Sequence, residues 1–498
     1  MRTFVSLLKE KKFRIELRIL KSRSTKKNKT LIPQIQCLER YQKKLVLLST
    51  LGIISLASAP NRLIAQCDPV NDVFLVSTGE TTFSKNSPQV AMDANGNYMV
   101  VWEEYTDNIS GFDIYGRLYA ADGTPMGYPL IINSFTENFQ RSPAIAMQAN
   151  GDFIVVWESD HEVGGNYEIY GRRFLANGAP IDVEFRINIF TVNSQQDPAV
   201  ALDENGNFVV VWESENQENN DEALGVVARL FDSDGVPVTG DIHVNQFTTN
   251  TQGDPKVAMH SGGSFVVVWE SYGQDGDQTA IYGRRFNSSG TPLDDEFQLN
   301  QYTTSSQSDP DIAMDCLGNF VVVWESFGQD GDLQAVVARR YQSDGTPFDN
   351  EFIVNTGTTG HQDEPSITLD CMGNFLIAWE DTRFDVFFPT IFSQCFNSLG
   401  ERIGDEFQAS LKDDIRLKNP SAKMNNDGLL VIAWDSRLEI GEITYEYGIQ
   451  GQSFLCLKTS QPDPIPTVGH WGMIVLGLLF SILSWLGIKN KNLQAEKG

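Results

Sequence analysis

The hydrophobic residues of this chain are arranged in a unit that repeats seven times. Each unit contains an apolar run that ends in tryptophan, such as Phe-Val-Val-Val-Trp at 265–269 and 320–324. Successive tryptophans are 55 residues apart, with one spacing of 57. A proline stands fourteen residues before each tryptophan and a glycine six residues before it. The tryptophans are Trp102, Trp157, Trp212, Trp269, Trp324, Trp379 and Trp434. This copying of one supersecondary unit predicts a repeat architecture.

The pattern within one unit predicts four short strands, A to D. In the second copy they lie at 143–148, 153–157, 168–174 and 184–188. Asn-Gly at 150–151 is typical of a tight hairpin between strands A and B, because both residues accept positive φ angles. Small residues at the centre of strand A suit the most crowded position of the unit.

Strand B predicts how the units pack. Its Phe-Val-Val-Val-Trp run has no polar alternation, so both of its faces should be buried. Seven four-stranded antiparallel units with sheets stacked face to face predict an all-β, seven-bladed β-propeller. A solenoid is the alternative, but its repeats are usually shorter and its ends need capping units.

The two ends of the repeat region predict how the ring closes. Residues 73–77 match strand D, whereas the last copy has no strand D after it. The N-terminal strand should therefore complete the last blade beside 447–457, the closure used by WD-repeat propellers. Cys67 and Cys456 align with positions that flank the missing turn between strands C and D, so we predict a Cys67–Cys456 disulfide.

The other four cysteines are less easily assigned. Cys316 and Cys371 occupy the same A–B turn position in neighbouring blades and can pair only if the blade spacing permits the Cα distance. Cys37 and Cys395 have no obvious partner. None of the six has metal-ligand spacing.

Residues 1–66 precede the predicted propeller, which covers 67–460. They hold 15 basic and 3 acidic residues, and the apolar run at 45–57 follows two lysines. This pattern predicts a basic leader with a secretory signal peptide, cleaved near Ala59 or Ala65. A start codon placed too far upstream would explain the length of the leader. Gln66 before Cys67 argues against a lipoprotein.

The C-terminal segment predicts a linker with a sorting motif at 461–470, a transmembrane helix at 471–488 and a basic cytoplasmic tail at 489–498. It resembles the IPTL-CTERM sorting signal of Gram-negative bacteria. The matching residues are Ile465, Pro466, Thr467, Val468, Trp471 and Gly472, with Val468 in place of the usual leucine. The resemblance implies a surface protein processed by an exosortase-like peptidase. A plain C-terminal membrane anchor is the alternative.

The exported part is strongly acidic. Without the leader and the tail, roughly 20 basic and 61 acidic side chains remain, a net charge of about −41. Such a charge repels nucleic acid and favours divalent cations as partners.

Two loops between strands B and C supply candidate ligand sites. Gly-Gln-Asp-Gly-Asp recurs in copies four and five, and its carboxylates are candidate Ca²⁺ ligands, although no complete EF-hand loop is present. These residues are Asp275, Asp277, Asp330 and Asp332. In copy six, Phe384, Phe387 and Phe388 stand in an otherwise acidic type of loop and are candidates for a contact patch, unless they fold back onto the blade.

No residue is predicted to be catalytic. One arginine per blade on strand C invites comparison with sialidases, but a catalytic cluster would converge from non-equivalent positions, and the sialidase Asp-box spacing is absent. The repeat resembles sequences of large bacterial surface proteins, which implies an extracellular setting. We therefore expect a non-catalytic binding, adhesion or matrix module without a required cofactor. Its partner would be a glycan or matrix protein, and a secreted carbohydrate-active enzyme is the alternative.

Overall fold

The computed structural model describes residues 67–77, 83–107, 111–160, 165–217, 224–410, 415–440 and 444–456. These residues belong to the first of the chain's two units, which ends at Cys456. They form strands arranged in seven sheets, and they include no helix long and apolar enough to cross a membrane. The predicted leader, the sorting motif, the helix at 471–488 and Cys37 lie outside the described residues.

Each sheet is one blade, and strands A to D follow one another along the chain in six of the seven. The chain enters through β1 (Cys67–Pro69) and β2 (Phe74–Leu75). Blade one contains β3 (Lys85–Met92), β4 (Tyr98–Asp107), β5 (Gly111–Tyr119) and β6 (Leu130–Ile131). Blade two contains β7 (Gln140–Met147), β8 (Phe153–Ser159), β9 (Glu168–Phe174) and β10 (Phe185–Arg186). Blade three contains β11 (Gln195–Leu202), β12 (Phe208–Glu215), β13 (Leu224–Phe231) and β14 (Ile242–His243).

The later blades repeat this order. Blade four contains β15 (Gln252–Met259), β16 (Phe265–Tyr272), β17 (Thr279–Phe286) and β18 (Phe297–Gln298). Blade five contains β19 (Gln307–Met314), β20 (Phe320–Phe327), β21 (Gln334–Tyr341) and β22 (Phe352–Ile353). Blade six contains β23 (Gln362–Leu369), β24 (Phe375–Asp381), β25 (Thr390–Phe396) and β26 (Arg402–Gln408). Blade seven contains β27 (Ile415–Met424), β28 (Leu429–Ile440) and β29 (Thr444–Cys456).

The N-terminal strands complete blade seven, as predicted. Both β1 and β2 pair antiparallel with β29, with Cys67 opposite Cys456. The Ser77 hydroxyl accepts the N–H of Ile449 at 3.0 Å. In blades one to five, the asparagine two residues after strand D accepts the corresponding N–H. The A strands contact one another around the ring, including β27 with β3. The ring is therefore closed by the two ends of the described chain.

Two disulfides join cysteines of the described residues. Cys67 and Cys456 are joined, with their Cα atoms 4.0 Å apart. Cys316 and Cys371 are also joined across the A–B turns of blades five and six, where the Cα distance is 4.7 Å. The blade spacing, which the sequence left open, therefore permits the second bond.

The hydrophobic core is divided into seven clusters, one at each junction between blades. Trp157 of blade two packs with Val101 and Ile132 of blade one, and Trp102 packs with Val431 of blade seven. Every tryptophan of the repeat is at most 1% exposed. In strand B, alternate residues enter different clusters, so that Val155 faces blade one and Val156 faces blade three. This confirms the prediction that both faces of strand B are buried.

The strand boundaries differ from the prediction at two places. Strand A begins three residues before its proline, because a bulge lets the chain continue pairing with the end of strand B. Strand D is only two residues long in blades one to five. Beyond it, a side chain accepts a strand C N–H that a backbone carbonyl would accept in a longer ladder. In blade two, Asn188 Oδ1 accepts the N–H of Ile169 at 2.9 Å.

Candidate functional site

One face of the ring carries the loops that differ most between blades. Gln252 at the start of strand A pairs with Ser271 near the end of strand B, so the D–A and B–C loops emerge together. We call this the loop face. The A–B and C–D turns form the opposite side, which we call the turn face.

A carboxyl group follows the tryptophan of every blade, where the loop face meets the central channel. In blades one to six it accepts a hydrogen bond from the backbone N–H of the residue before the next blade's proline. Glu158, for example, accepts from Asp197 at 2.7 Å, and Glu325 accepts from Glu364 at 2.7 Å. The other four bonds join Glu103 to Ser142, Glu213 to Asp254, Glu270 to Asp309 and Glu380 to Asn419. These carboxyl groups therefore link consecutive blades around the channel.

The N–H groups reach these carboxyl groups because their residues adopt left-handed backbone angles. The φ values of the residues before the seven prolines lie between 46° and 53°, in the strand A bulge. A following proline excludes the right-handed helical conformation, and non-glycine residues rarely adopt positive φ without compensating contacts. The bond to the neighbouring blade supplies such a contact.

The loop-face mouth of the channel contains a second set of carboxyl groups in blades three to six, on the residues that donate these N–H groups. Carboxylate oxygens of Asp254, Glu270 and Asp309 all lie within 4.8 Å of one another and are half-buried. Lys256 forms an ion pair with Asp254. Oxygen ligands of this kind are those that a hard divalent cation prefers.

Burial and the crowding of acids raise the pKa values of several glutamates of the mouth. Burial is the largest cause and neighbouring carboxylates are the second. The pKa of Glu213 is raised to about 8, with Asp197 adding to burial. The pKa of Glu270 is also raised to about 8, with Asp254 adding to burial, and that of Glu325 is raised to about 10. Part of the cluster therefore stays protonated at neutral pH and can donate as well as accept hydrogen bonds.

The loop face of blades one and two carries a cluster of aromatic rings around an arginine. The Arg141 guanidinium carbon lies 4.7 Å from the ring centre of Phe112 and 4.6 Å from that of Phe139. Tyr105 packs against Phe112 with a centroid distance of 5.3 Å. The loop face therefore carries acidic groups in blades three to six and an arginine held between aromatic rings in blades one and two.

The four predicted calcium ligands stabilise the loops of blades four and five. Asp277 accepts the N–H of Ser305 at 2.9 Å, and Asp332 accepts the corresponding N–H in the next blade at 3.1 Å. Asp275 and Asp330 each accept the N–H of the aspartate two residues later at 3.2 Å. Among the described residues, the groups of three or more that are close enough to share an ion do not include these four. Calcium binding at these loops stays a prediction.

The aromatic loop of blade six lies open on the loop face. Phe384 is 60% exposed and Phe387 is 76% exposed, while Phe388 is half-buried. The base of the loop is held by Arg383, which pairs with Asp381 at 2.5 Å and also with Glu406. The ring of Phe384 contacts that of Phe392 on strand C at a centroid distance of 6.1 Å, but most of its side chain, like that of Phe387, stays exposed.

The repeated arginines and glutamines link structural elements. Arg172 donates to the carbonyl of Ile132 in the preceding blade at 2.9 Å, and its equivalents make the same contact. Gln140 accepts from Trp157 Nε1 at 3.2 Å and donates to a loop carbonyl at 3.1 Å. The five arginines are Arg117, Arg172, Arg229, Arg284 and Arg339. Their role is inter-blade bonding rather than convergence on one ligand.

Reasoning from the sequence missed the acidic mouth. Its members follow each tryptophan or precede each proline, so the repeat alignment already placed them in two columns. Their acidity was the available signal, but the strand A bulge that brings the two columns together was not predicted.

Comparison with known proteins identifies one short motif and a set of remote structural neighbours. Residues 463–489 match the IPTL-CTERM motif, which implies export and sorting to the surface of a Gram-negative cell. No curated protein matches this chain in sequence.

Three solved structures are similar in fold. A protein of unknown function from Dyadobacter fermentans is 10% identical, with a TM-score of 0.48 and coverage of 79% of this chain and 100% of that one. A fungal AA5-family alcohol oxidase in complex with copper is 12% identical, with a TM-score of 0.45 and coverages of 79% and 76%. A Hadza microbial sialidase is 12% identical, with a TM-score of 0.42 and coverages of 72% and 76%. Similarity at this level carries no information about function.

Proposed function

We propose that this chain is an exported, surface-sorted β-propeller that acts as a non-catalytic binding or adhesion module, with its ligand contacts on the loop face. The sorting motif at 463–489 supports export and processing by an exosortase-like peptidase. In this proposal the helix at 471–488 holds the protein in the membrane before any processing. A glycan or a matrix protein is the partner we propose, and assembly into extracellular matrix is a form of the same function.

The observation that carries this proposal is the exposed loop of blade six. Phe384, Val386 and Phe387 are all at least 60% exposed, on the face where blades four and five present acidic loops. Large apolar side chains grouped on a soluble, highly charged domain usually mark an interaction surface. Aromatic side chains also supply much of the binding energy at interfaces, because they bury a large area with few rotatable bonds.

The carboxyl groups of the channel mouth support a non-catalytic role. Six of them accept a backbone N–H from the next blade, and this occupies one oxygen of each group in a bond that holds the ring together. A general acid must release its proton and take it back in every turnover. Equivalent structural bonds in successive blades are better explained by assembly of the ring.

Binding of the full-length protein to an array of glycans and matrix proteins tests the proposal, with calcium and then with chelator. We expect binding that is lost in the double variant Phe384→Ser, Phe387→Ser. Leu317→Ser is the matched control, because Leu317 is 75% exposed on the turn face. Equal binding by the double variant and the wild-type protein would contradict the proposed site. Failure of the wild-type protein to bind any member of the array would contradict the proposed ligand classes.

A secreted carbohydrate-active enzyme is the second candidate, favoured by the cluster of Asp254, Glu270 and Asp309. Retaining glycosidases use two carboxyl groups about 5 Å apart, one of which has a raised pKa, and Glu270 has a pKa of about 8. Hydrolysis of a glycan by the wild-type protein that is abolished in Glu270→Gln would establish this candidate over the binding module.

A further inference from the structure

Three cysteines meet where the ring closes. Cys67 on β1 is bonded to Cys456 at the end of β29. Cys395 belongs to strand C of blade six, and its Sγ lies 2.9 Å from Cys67 Sγ. The three sulfur atoms are all within 4.8 Å of one another. Cys395 is a free thiol, so a free thiol is in contact with a disulfide.

The repeat shows that this contact occupies a regular position. In three other blades the residue aligned with Cys395 is an arginine, which donates to a backbone carbonyl in the next blade. The residue that supplies the carbonyl is aligned with Cys456. The pairs are Arg173 with Ser233, Arg285 with Ser343 and Arg340 with Ser398. In blade six a thiol occupies the position from which these arginines donate a hydrogen bond to the next blade.

We propose that Cys395 is an internal nucleophile for the closing disulfide, so that the ring has two interchangeable covalent closures. The Cys395 thiolate attacks Cys67 Sγ and forms a Cys395–Cys67 bond. The Cys67–Cys456 bond breaks, and its electron pair leaves on Cys456 Sγ, which takes up the proton that Cys395 released. The exchange conserves the number of disulfides and needs no external oxidant or reductant.

The product differs from the starting state in two ways. The N-terminal strand becomes bonded to blade six instead of to its own blade. Cys456, which is half-buried at the last described position, becomes a free thiol. The exchange therefore creates a modification site at the edge of the ring for a partner that carries a reactive disulfide, which the Cys456 thiolate attacks with release of the partner's second sulfur as a thiol.

The surroundings of Cys395 determine how fast the exchange proceeds. Buried side chains packed in the same cluster, including Leu376, Leu417, Leu430 and Phe454, are apolar. Burial alone raises the pKa of the Cys395 thiol to about 12. Only the thiolate attacks a disulfide. While the pH is below this pKa, the exchange rate should therefore rise about tenfold for each unit by which the pH increases.

Peptide mapping of the full-length protein without reduction tests the exchange, with free thiols alkylated after incubation at pH 7, 8 and 9. We expect the Cys67–Cys456 peptide at pH 7. At higher pH a Cys67–Cys395 peptide should appear and Cys456 should become alkylated, with about tenfold faster conversion per pH unit. The Cys316–Cys371 peptide is the internal reference. Detection of Cys67–Cys456 alone at every pH in folded protein would overturn the proposal.

Two variants complete the test. In Cys456→Ser, Cys67 and Cys395 should form a disulfide during export, and two free thiols in the folded variant would contradict the proposal. In Cys395→Ser, no rearranged peptide should form. Tryptophan fluorescence reports whether each variant is folded, and the wild-type time course decides alone if Cys456→Ser does not fold. A conversion rate that falls on tenfold dilution would indicate exchange between molecules and would also refute the mechanism.

Discussion

Replacing Glu213 with glutamine should stabilise the propeller at alkaline pH. Glu213 is 8% exposed and accepts the N–H of Asp254 at 2.5 Å. A glutamine has nearly the same shape and keeps an oxygen to accept this bond. The substitution therefore removes the negative charge from the crowded mouth and preserves the link between blades three and four.

The magnitude follows from the pKa of Glu213. Its rise from 4.5 to about 8 corresponds to about 5 kcal/mol of unfavourable free energy for the ionised form, at about 1.4 kcal/mol per tenfold change. In Glu213→Gln the neighbouring carboxyl groups ionise more readily. At high pH the repulsion among those neighbours replaces part of the repulsion that the Glu213 charge caused. We therefore expect a gain of about 2 kcal/mol.

The sign of the pH dependence is determined by the direction of the shift. The folded protein binds the Glu213 proton more tightly than the unfolded chain does, so this group lowers stability as the pH rises from about 4.5 to about 8. The stability difference between Glu213→Gln and the wild-type protein should be small at pH 5. It should grow up to about pH 8 and stay constant above that pH.

Urea unfolding monitored by tryptophan fluorescence, between pH 5 and pH 9, measures this difference. Glu406→Gln is the control of opposite sign. Burial raises the pKa of Glu406, but hydrogen bonds from Arg383 and Thr356 outweigh burial and leave it below its ordinary value. This variant should lose stability at neutral pH, and the loss should disappear in acid. A stabilisation by Glu213→Gln that is the same at pH 5 and pH 9 would refute the electrostatic argument.

Three further predictions concern other parts of the ring. Trp269→Phe should cost about 1 kcal/mol less than Trp157→Phe in urea unfolding, because Trp157 donates to Gln140 and the Trp269 Nε1 has no partner. Equal losses would contradict this. Lys85→Met should destabilise by about 3–5 kcal/mol, since it breaks a buried ion pair with Glu104. The double change Lys85→Gln, Glu104→Ser, which restores the pair found in blades two to five, should be nearly neutral, and a large loss there would argue against the ion pair as the cause. Calcium binding by the loops that contain Asp277 and Asp332 should raise the thermal midpoint relative to chelator, and superimposable melting curves would refute calcium binding there.

The sequence alone predicted the number of blades, the burial of both faces of strand B and the closure by the N-terminal strand. These features depend on contacts within a unit or between units in fixed register. An alignment of the copies therefore transfers them from one blade to the next. The Cys67–Cys456 bond was predictable for the same reason, since both residues align with a turn that other blades make continuously.

Only the tertiary structure decided which aligned positions meet across blades. The bulge before each proline turns one N–H toward the preceding blade, and this converts two separate columns of acids into one crowded mouth. The Cα distance between Cys316 and Cys371, and the contact of Cys395 with Cys67, depend on the spacing of blades in the closed ring. Spacing along the chain contains no such distance, because it reports the period of the repeat and not the angle at which consecutive blades pack.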